Sequence, residues 1–271
     1  MTRPVKSLII ILLVFFISGC MLPTRYRILR SPEKPIVIKE PRLDFKIGER
    51  FTYKAEWLGM DVAVAILTVE GVEELKGRKV YRIVATANTT SILAKLYKVE
   101  DRITTYIDVE ELHPLRYEKK QREGRYRADE YFEFDQENGK VFYFSNLNNS
   151  KKEIDTPPHV QDPLSALYYF RLQNAKVGES MFANLNADEK NYLLDAKVHK
   201  KGLVRIKGVG EWEAFMVEPL PWFGGKVERK AKAIMWFSAD ERRIPLIMSI
   251  KSIPLVGTVT ITLQKIEYLD T

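Results

Sequence analysis

Along most of the chain, apolar and polar positions alternate with a period of two. Arg50 to Trp57, Asp61 to Val69, Lys79 to Ala87 and Val99 to Ile107 are rich in Val, Ile, Thr and Tyr, the residues that suit a pleated, half-buried surface. Gly59, Gly71 and Lys76-Gly77 fall beside these runs and mark turns. Leu115 to Gln121 and Tyr126 to Phe134 follow, joined through Glu123-Gly124, and Val141 to Phe144 comes after Asn138-Gly139, a strong hairpin signal. A second group comprises Glu179 to Leu185, Asn191 to Val198, Leu203 to Lys207, Trp212 to Glu218, Lys230 to Phe237, Leu246 to Ile250 and Thr258 to Ile266. The pattern predicts an all-β fold of roughly a dozen mainly antiparallel strands, a barrel or a sandwich.

The period changes once. Asp162 can cap a helix, Pro163 sits where a first turn tolerates proline, and Leu164 to Arg171 continues it. Leu164, Leu167 and Tyr168 form a stripe that Tyr169 and Phe170 widen, so this short helix near 162–172 must be covered on much of its surface.

Two strands are apolar on both faces. In Asp61 to Val69, Val62, Val64 and Ile66 alternate with Ala63, Ala65 and Leu67, and Ala233 to Phe237 behaves alike. Such strands are covered outside by other elements, or line an apolar cavity inside. The second alternative makes Leu167, Tyr168 and Trp236 candidate lining residues. Trp222-Phe223, set between Pro219, Pro221 and Gly224-Gly225, adds two aromatics at an expected loop tip. Aromatics there suit a bilayer interface or the lip of a pocket, or fold back into the core.

The first residues have a different pattern. Arg3 and Lys6 precede an unbroken apolar run from Leu8 to Ile17, which Ser18-Gly19-Cys20 closes. The run is shorter than the ~20 apolar residues of a spanning helix and has the layout of a secretory signal. Ile17-Ser-Gly-Cys20 resembles the bacterial lipobox, in which the signal is cut before a cysteine that becomes acylated. The expected organisation is a signal peptide at 1–19, lipidated Cys20 with a Pro- and Arg-rich tether over 20–43, and a single β domain over 44–271. Acyl chains on Cys20 would hold the protein at a membrane. Met21, in place of Asp, favours the outer membrane, facing the periplasm, by resemblance to enterobacterial sorting. As the only cysteine, Cys20 has no disulfide partner within the chain.

The chain has 271 residues and a formal charge of +7, an excess that favours phosphate-bearing surfaces. Its densest cluster, Lys119, Lys120, Arg122, Arg125 and Arg127, reads as a hairpin face that contacts anionic lipid or glycolipid phosphates, or as a solvated strand face. Export removes nucleic acid as a partner.

Signals for catalysis are sparse. His113, His159 and His199 make no zinc-type pair, and Ser165 lies in Leu-Ser-Ala outside any nucleophile elbow. Gly208-Val-Gly210 lacks the third glycine of a dinucleotide fingerprint. No cofactor, metal site or catalytic residue is expected, although carboxylates distant in sequence can converge in space.

With the strands laid out, the chain resembles a bacterial envelope family, domain of unknown function 3108. The likeness rests on Phe45-Lys-Ile-Gly-Glu-Arg-Phe-Thr-Tyr53 with Trp57, on Leu96-Tyr-Lys-Val-Glu-Asp101, and on Asp162 to Arg171. It continues in Trp236-Phe-Ser-Ala-Asp240, Arg243-Ile-Pro245 and the closing strand after Gly257. The resemblance implies an exported antiparallel β-barrel or half-barrel and supplies no catalytic residues. Three functions follow as expectations: a tethered, non-enzymatic lipoprotein holding an envelope lipid or glycolipid in a curved-sheet groove, a module that binds another envelope protein, or a carboxylate-based glycan hydrolase.

Overall fold

A computed structural model describes residues 45–90, 93–228, 231–252 and 257–269. The signal segment, Cys20 and the tether lie outside these residues.

Fifteen strands form one antiparallel sheet. The first eight run as a meander: β1 (Glu49–Trp57), β2 (Met60–Leu75), β3 (Arg78–Thr89), β4 (Val99–Asp108), β5 (Pro114–Glu123), β6 (Tyr126–Asp135), β7 (Lys140–Ser145) and β8 (Lys151–Asp155). After helix α1 (Pro163–Leu172) come β9 (Ser180–Ala187), β10 (Lys190–Ile206), β11 (Gly210–Phe223), β12 (Lys226–Val227), β13 (Ala231–Ser238), β14 (Pro245–Ser252) and β15 (Thr258–Tyr268). β15 pairs with β1, which places β8 at one edge and β9 at the other.

Bulges bend this sheet. Register shifts at Thr52/Tyr53, Ala55/Glu56, Val69/Gly71, Tyr106/Ile107 and Trp236/Phe237 each add local twist. The edges meet without a continuous ladder. Asn191 Nδ2 donates to the Asp155 carbonyl at 2.6 Å, and Lys152 pairs with Glu189. Gln161 then bridges β9: its N–H donates to Asn184 O at 2.8 Å and its carbonyl accepts from Asn186 N at 2.8 Å. The result is an open, barrel-like sheet whose two edges touch along this seam.

Pairing accounts for two sequence features. His199 to Gly202, expected to separate two strands, lies inside one long β10, whose register shifts at Val198/Lys200. Pro219 and Pro221 lie within β11, beyond the stretch Ala214–Val217 that pairs with β13. Their missing N–H groups therefore face an unladdered edge, where proline is tolerated.

Helix α1 lies against the concave face. Asp162 caps it through Leu164 N (2.7 Å) and Ser165 N (2.8 Å), while Ser165 Oγ accepts from the Asp162 N–H at 2.8 Å. Thr105, inward-facing on β4, donates to Asp162 Oδ2 at 2.5 Å. Burial pushes the Asp162 carboxyl up to about 6, against the lowering effect of these hydrogen bonds. At the other end of α1, buried Arg171 meets buried Glu49 of β1 and the Arg242 carbonyl. Leu164, Ala166, Leu167, Tyr168 and Phe170 are all buried between these attachments. The apolar girth of α1 is thus covered by the barrel that it fills.

Close approach fixes one glycine. Gly48 has φ +80°, and a Cβ there would sit 2.1 Å from the Leu269 carbonyl oxygen.

Candidate functional site

Antiparallel order sorts the turns by end. The β1–β2, β3–β4, β5–β6, β7–β8, β9–β10 and β11–β12 connections gather at one end, and the Glu49–Arg171 contact lies at the opposite one. Leu96, Leu58 and Leu147 are 86%, 68% and 59% exposed, the three most exposed large apolar side chains described, and all stand on turns of the first end. Exposed Met60 and Trp222 join them. Leu58 has φ +51° and Gly59 φ +78°, a two-residue turn in which asparagine is preferred at the first position. Leucine in that left-handed conformation costs about 1 kcal/mol. Neither burial nor backbone preference accounts for it.

The basic hairpin divides between the two faces of the sheet. Lys119 does not reach the surface expected of it. It shares an inner row with Phe51, Leu67, Ala85, Ile103 and Glu130, and alternation therefore buries it. Its Nζ lies 2.8 Å from Glu130 and 3.5 Å from Asp188 of the β9–β10 turn. Burial alone would lower its pKa, but Asp188 and Glu130 outweigh that and hold it above the usual lysine range. Lys119 is an interior tie.

Lys120, Arg122, Arg125 and Arg127 are exposed. Lys120, Arg122 and Arg127 line an outer cleft of about 490 Å³ with Arg102, Thr86, Asn88, Glu100, Asp129 and Leu147. Arg125 is not among its lining residues.

The five residues expected to share one groove are dispersed. Leu167 and Tyr168 are core side chains; Tyr168 packs edge-on to Phe45 at 4.9 Å and beneath the Arg171 guanidinium at 4.9 Å. α1 turns both toward the sheet, where they are buried. Trp236 faces outward in register with Met216 and Ile247. Its ring lies over Gly202, where a Cβ would meet it at 3.8 Å, with Lys200 above it at 5.5 Å. The apolar outer face of β13 is thus an aromatic laid along its neighbours. Phe223 and Trp222 end β11 at the turn end: Phe223 packs on Tyr192 at 5.3 Å, while Trp222 is exposed.

A convergent carboxyl pair, which sequence reasoning left unnamed, lies on the inner face. Gln121 Nε2 donates to Glu123 Oε1 at 3.1 Å, and Arg122 N donates to Asp101 Oδ1 at 2.8 Å. Burial, and then the neighbouring Glu123 charge, push Asp101 up to about 8. Both residues are buried, and Asp101 also contributes to the lining of the outer cleft. The signal that identifies them is strand parity: Asp101 follows inward Val99, and Glu123 follows Tyr117 and Gln121 on the same face. His113 is also buried, and desolvation lowers it to about 4. Among the described residues no three His, Cys, Asp or Glu side chains converge as a metal site, and no helix is long and apolar enough to cross a membrane.

Among solved structures, the chain is similar to a β-barrel-like protein of domain of unknown function DUF1849 from Brucella abortus. The TM-score is 0.55 at 11% identity, over 83% of this chain and 99% of that one, a likeness of fold. A presumed lipoprotein from Parabacteroides distasonis aligns at TM-score 0.36 and 8% identity over 82% and 96% of the two chains. A presumed exported protein with a YmcC-like fold from Bacteroides fragilis aligns at 0.34 and 7%, again over 82% and 96%. No curated protein matches the sequence. The model of one family, the proteins of unknown function DUF3108, matches residues 52–264, and the chain belongs to that family.

Proposed function

We propose that the protein is a non-enzymatic lipoprotein of the bacterial envelope, tethered through Cys20, that engages lipid with the turn end of its barrel. The observation that carries this reading is the clustering of Leu58, Leu96 and Leu147 at one end, opposite the end where α1 is anchored. Exposed apolar groups gathered in this way mark a lipid or protein contact. Burying three leucines contributes about 5 kcal/mol, which alone corresponds to roughly millimolar binding or somewhat tighter. An acyl tether compensates by holding the domain at high local concentration beside a bilayer. The ligand contact proposed here is the rim, in place of a groove lined by Leu167 and Tyr168.

The test is a soluble form beginning at Met21, purified from bacterial membranes and examined by native mass spectrometry. Co-purifying lipid that is lost on Leu58→Asp/Leu96→Asp supports the reading. Repeated spectra of bare protein, with no uptake of added phospholipid, would sink it.

A protein partner is the second reading, favoured by the β10–β11 arm. Its residues beyond Val198 extend past β9, and Leu203 is exposed on it. Crosslinking from Leu203 in cells should then capture one protein reproducibly.

A further inference from the structure

The outer cleft over β3–β6 gathers four cationic side chains, Arg102, Lys120, Arg122 and Arg127, around two outward carboxylates, Glu100 and Asp129. Arg102 on β4 stands directly opposite Lys120 on β5, and Arg122 on β5 stands opposite Arg127 on β6. Like charges directly opposite across antiparallel strands are destabilising. Here two such pairs sit side by side; Lys120 also stands opposite Asp129 and Arg122 opposite Glu100, so four cations share two carboxylates that have other partners as well. Glu100 is held by Lys98 at 3.0 Å and reaches Arg122 only at 4.0 Å. Asp129 accepts from Asn146 Nδ2 at 2.8 Å. Arg127 directs its guanidinium to the carbonyls of Gly124 (2.8 Å) and Tyr126 (2.7 Å). Arg102 bonds Glu70 at 3.2 Å. Lys120 has no ion-pair partner among the described residues.

Thr86 and Asn88 of β3 add a hydroxyl and an amide to the same cleft, whose volume of about 490 Å³ suits a headgroup. Leu147, one of the rim leucines, also lines it. Cationic heads and an exposed apolar side chain therefore meet in one depression.

We infer that this cleft binds the phosphate of an anionic membrane lipid, with Lys120, Arg122, Arg127 and Arg102 around the phosphate and Leu147 toward the acyl region. The inference rests on the lipid-engaging rim proposed above and adds the class of lipid. A phosphate between the facing cations relieves both repulsive pairs at once. Guanidinium groups also match phosphate oxygens in geometry.

The test uses the soluble form beginning at Met21 in flotation with phosphatidylcholine vesicles and with vesicles containing phosphatidylglycerol. The native protein should prefer the anionic vesicles, and Lys120→Ala/Arg122→Ala should lose about tenfold or more of that preference. Its residual binding to phosphatidylcholine should be unchanged. A Lys120→Arg/Arg122→Lys variant, which keeps both charges, should retain the preference. Equal binding of the alanine variant and the native protein to anionic vesicles would overturn the cleft assignment. Failure of the native protein to bind either vesicle would instead refute the rim. Binding of free glycerol phosphate as tight as binding to anionic vesicles would overturn the assignment to a lipid.

Discussion

Arg171 of α1 and Glu49 of β1 form a buried, two-pronged ion pair, with Nη1–Oε1 at 2.6 Å and Nη2–Oε2 at 2.9 Å. It joins the helix to the first strand. Burial alone would lower the Arg171 pKa, but the Glu49 carboxylate outweighs it and keeps the guanidinium charged.

Removing one partner strands the other charge inside the barrel. Arg171→Leu or Glu49→Leu should each destabilise the domain by about 3–5 kcal/mol. The double variant should recover much of that loss, because no unpaired charge remains. Urea unfolding of the three variants measures the effect. A double variant as unstable as the sum of the singles would show that the pair is not what holds α1.

Asp101 makes stability fall as pH rises from acid toward about 8. In the folded protein its carboxyl keeps a proton up to about 8, whereas its ordinary value is 3.8. Between those values the folded state binds more protons than the unfolded state. The contribution of Asp101 to stability is therefore full below 3.8 and is lost as pH rises through about 8. Asp101→Asn should flatten the fall in melting temperature between about pH 4 and pH 8. An unchanged slope would assign the pH sensitivity to other groups.

Leu58 sets turn stability against contact. Leu58→Asn supplies the residue preferred ahead of Gly59 in this turn and should stabilise the domain by about 0.5–1 kcal/mol. The same change removes an apolar contact from the rim, so affinity for lipid should fall as melting temperature rises. A fall in both quantities would mean that Leu58 serves the fold.

Much of this architecture is legible in the sequence, because a period of two is a local signal. β1 to β7 and α1 with its Asp162 cap stand where alternation and capping residues place them, except that Gly71, expected at a turn, is at a bulge inside β2. β8 is not legible. Its sequence, Lys151-Lys-Glu-Ile-Asp155, is largely exposed on both faces and so carries no alternation. Lys119 is hard to place for a related reason: around it, both faces of β5 carry polar side chains, and the inward parity is marked only two residues away. Tyr117, two residues earlier on the buried face, is the marker that could have decided it. The rim and the seam depend on which turns share an end, a property of strand order that no local window contains.

Vesicle flotation is the most direct test of the central claim. The soluble form beginning at Met21 is compared with Leu58→Asp/Leu96→Asp/Leu147→Asp, three exposed changes that leave the core untouched. The native domain should float with vesicles, and the triple variant, with an unchanged melting temperature, should remain at the bottom of the gradient. Equal flotation of the two proteins, or flotation of neither, would contradict the account.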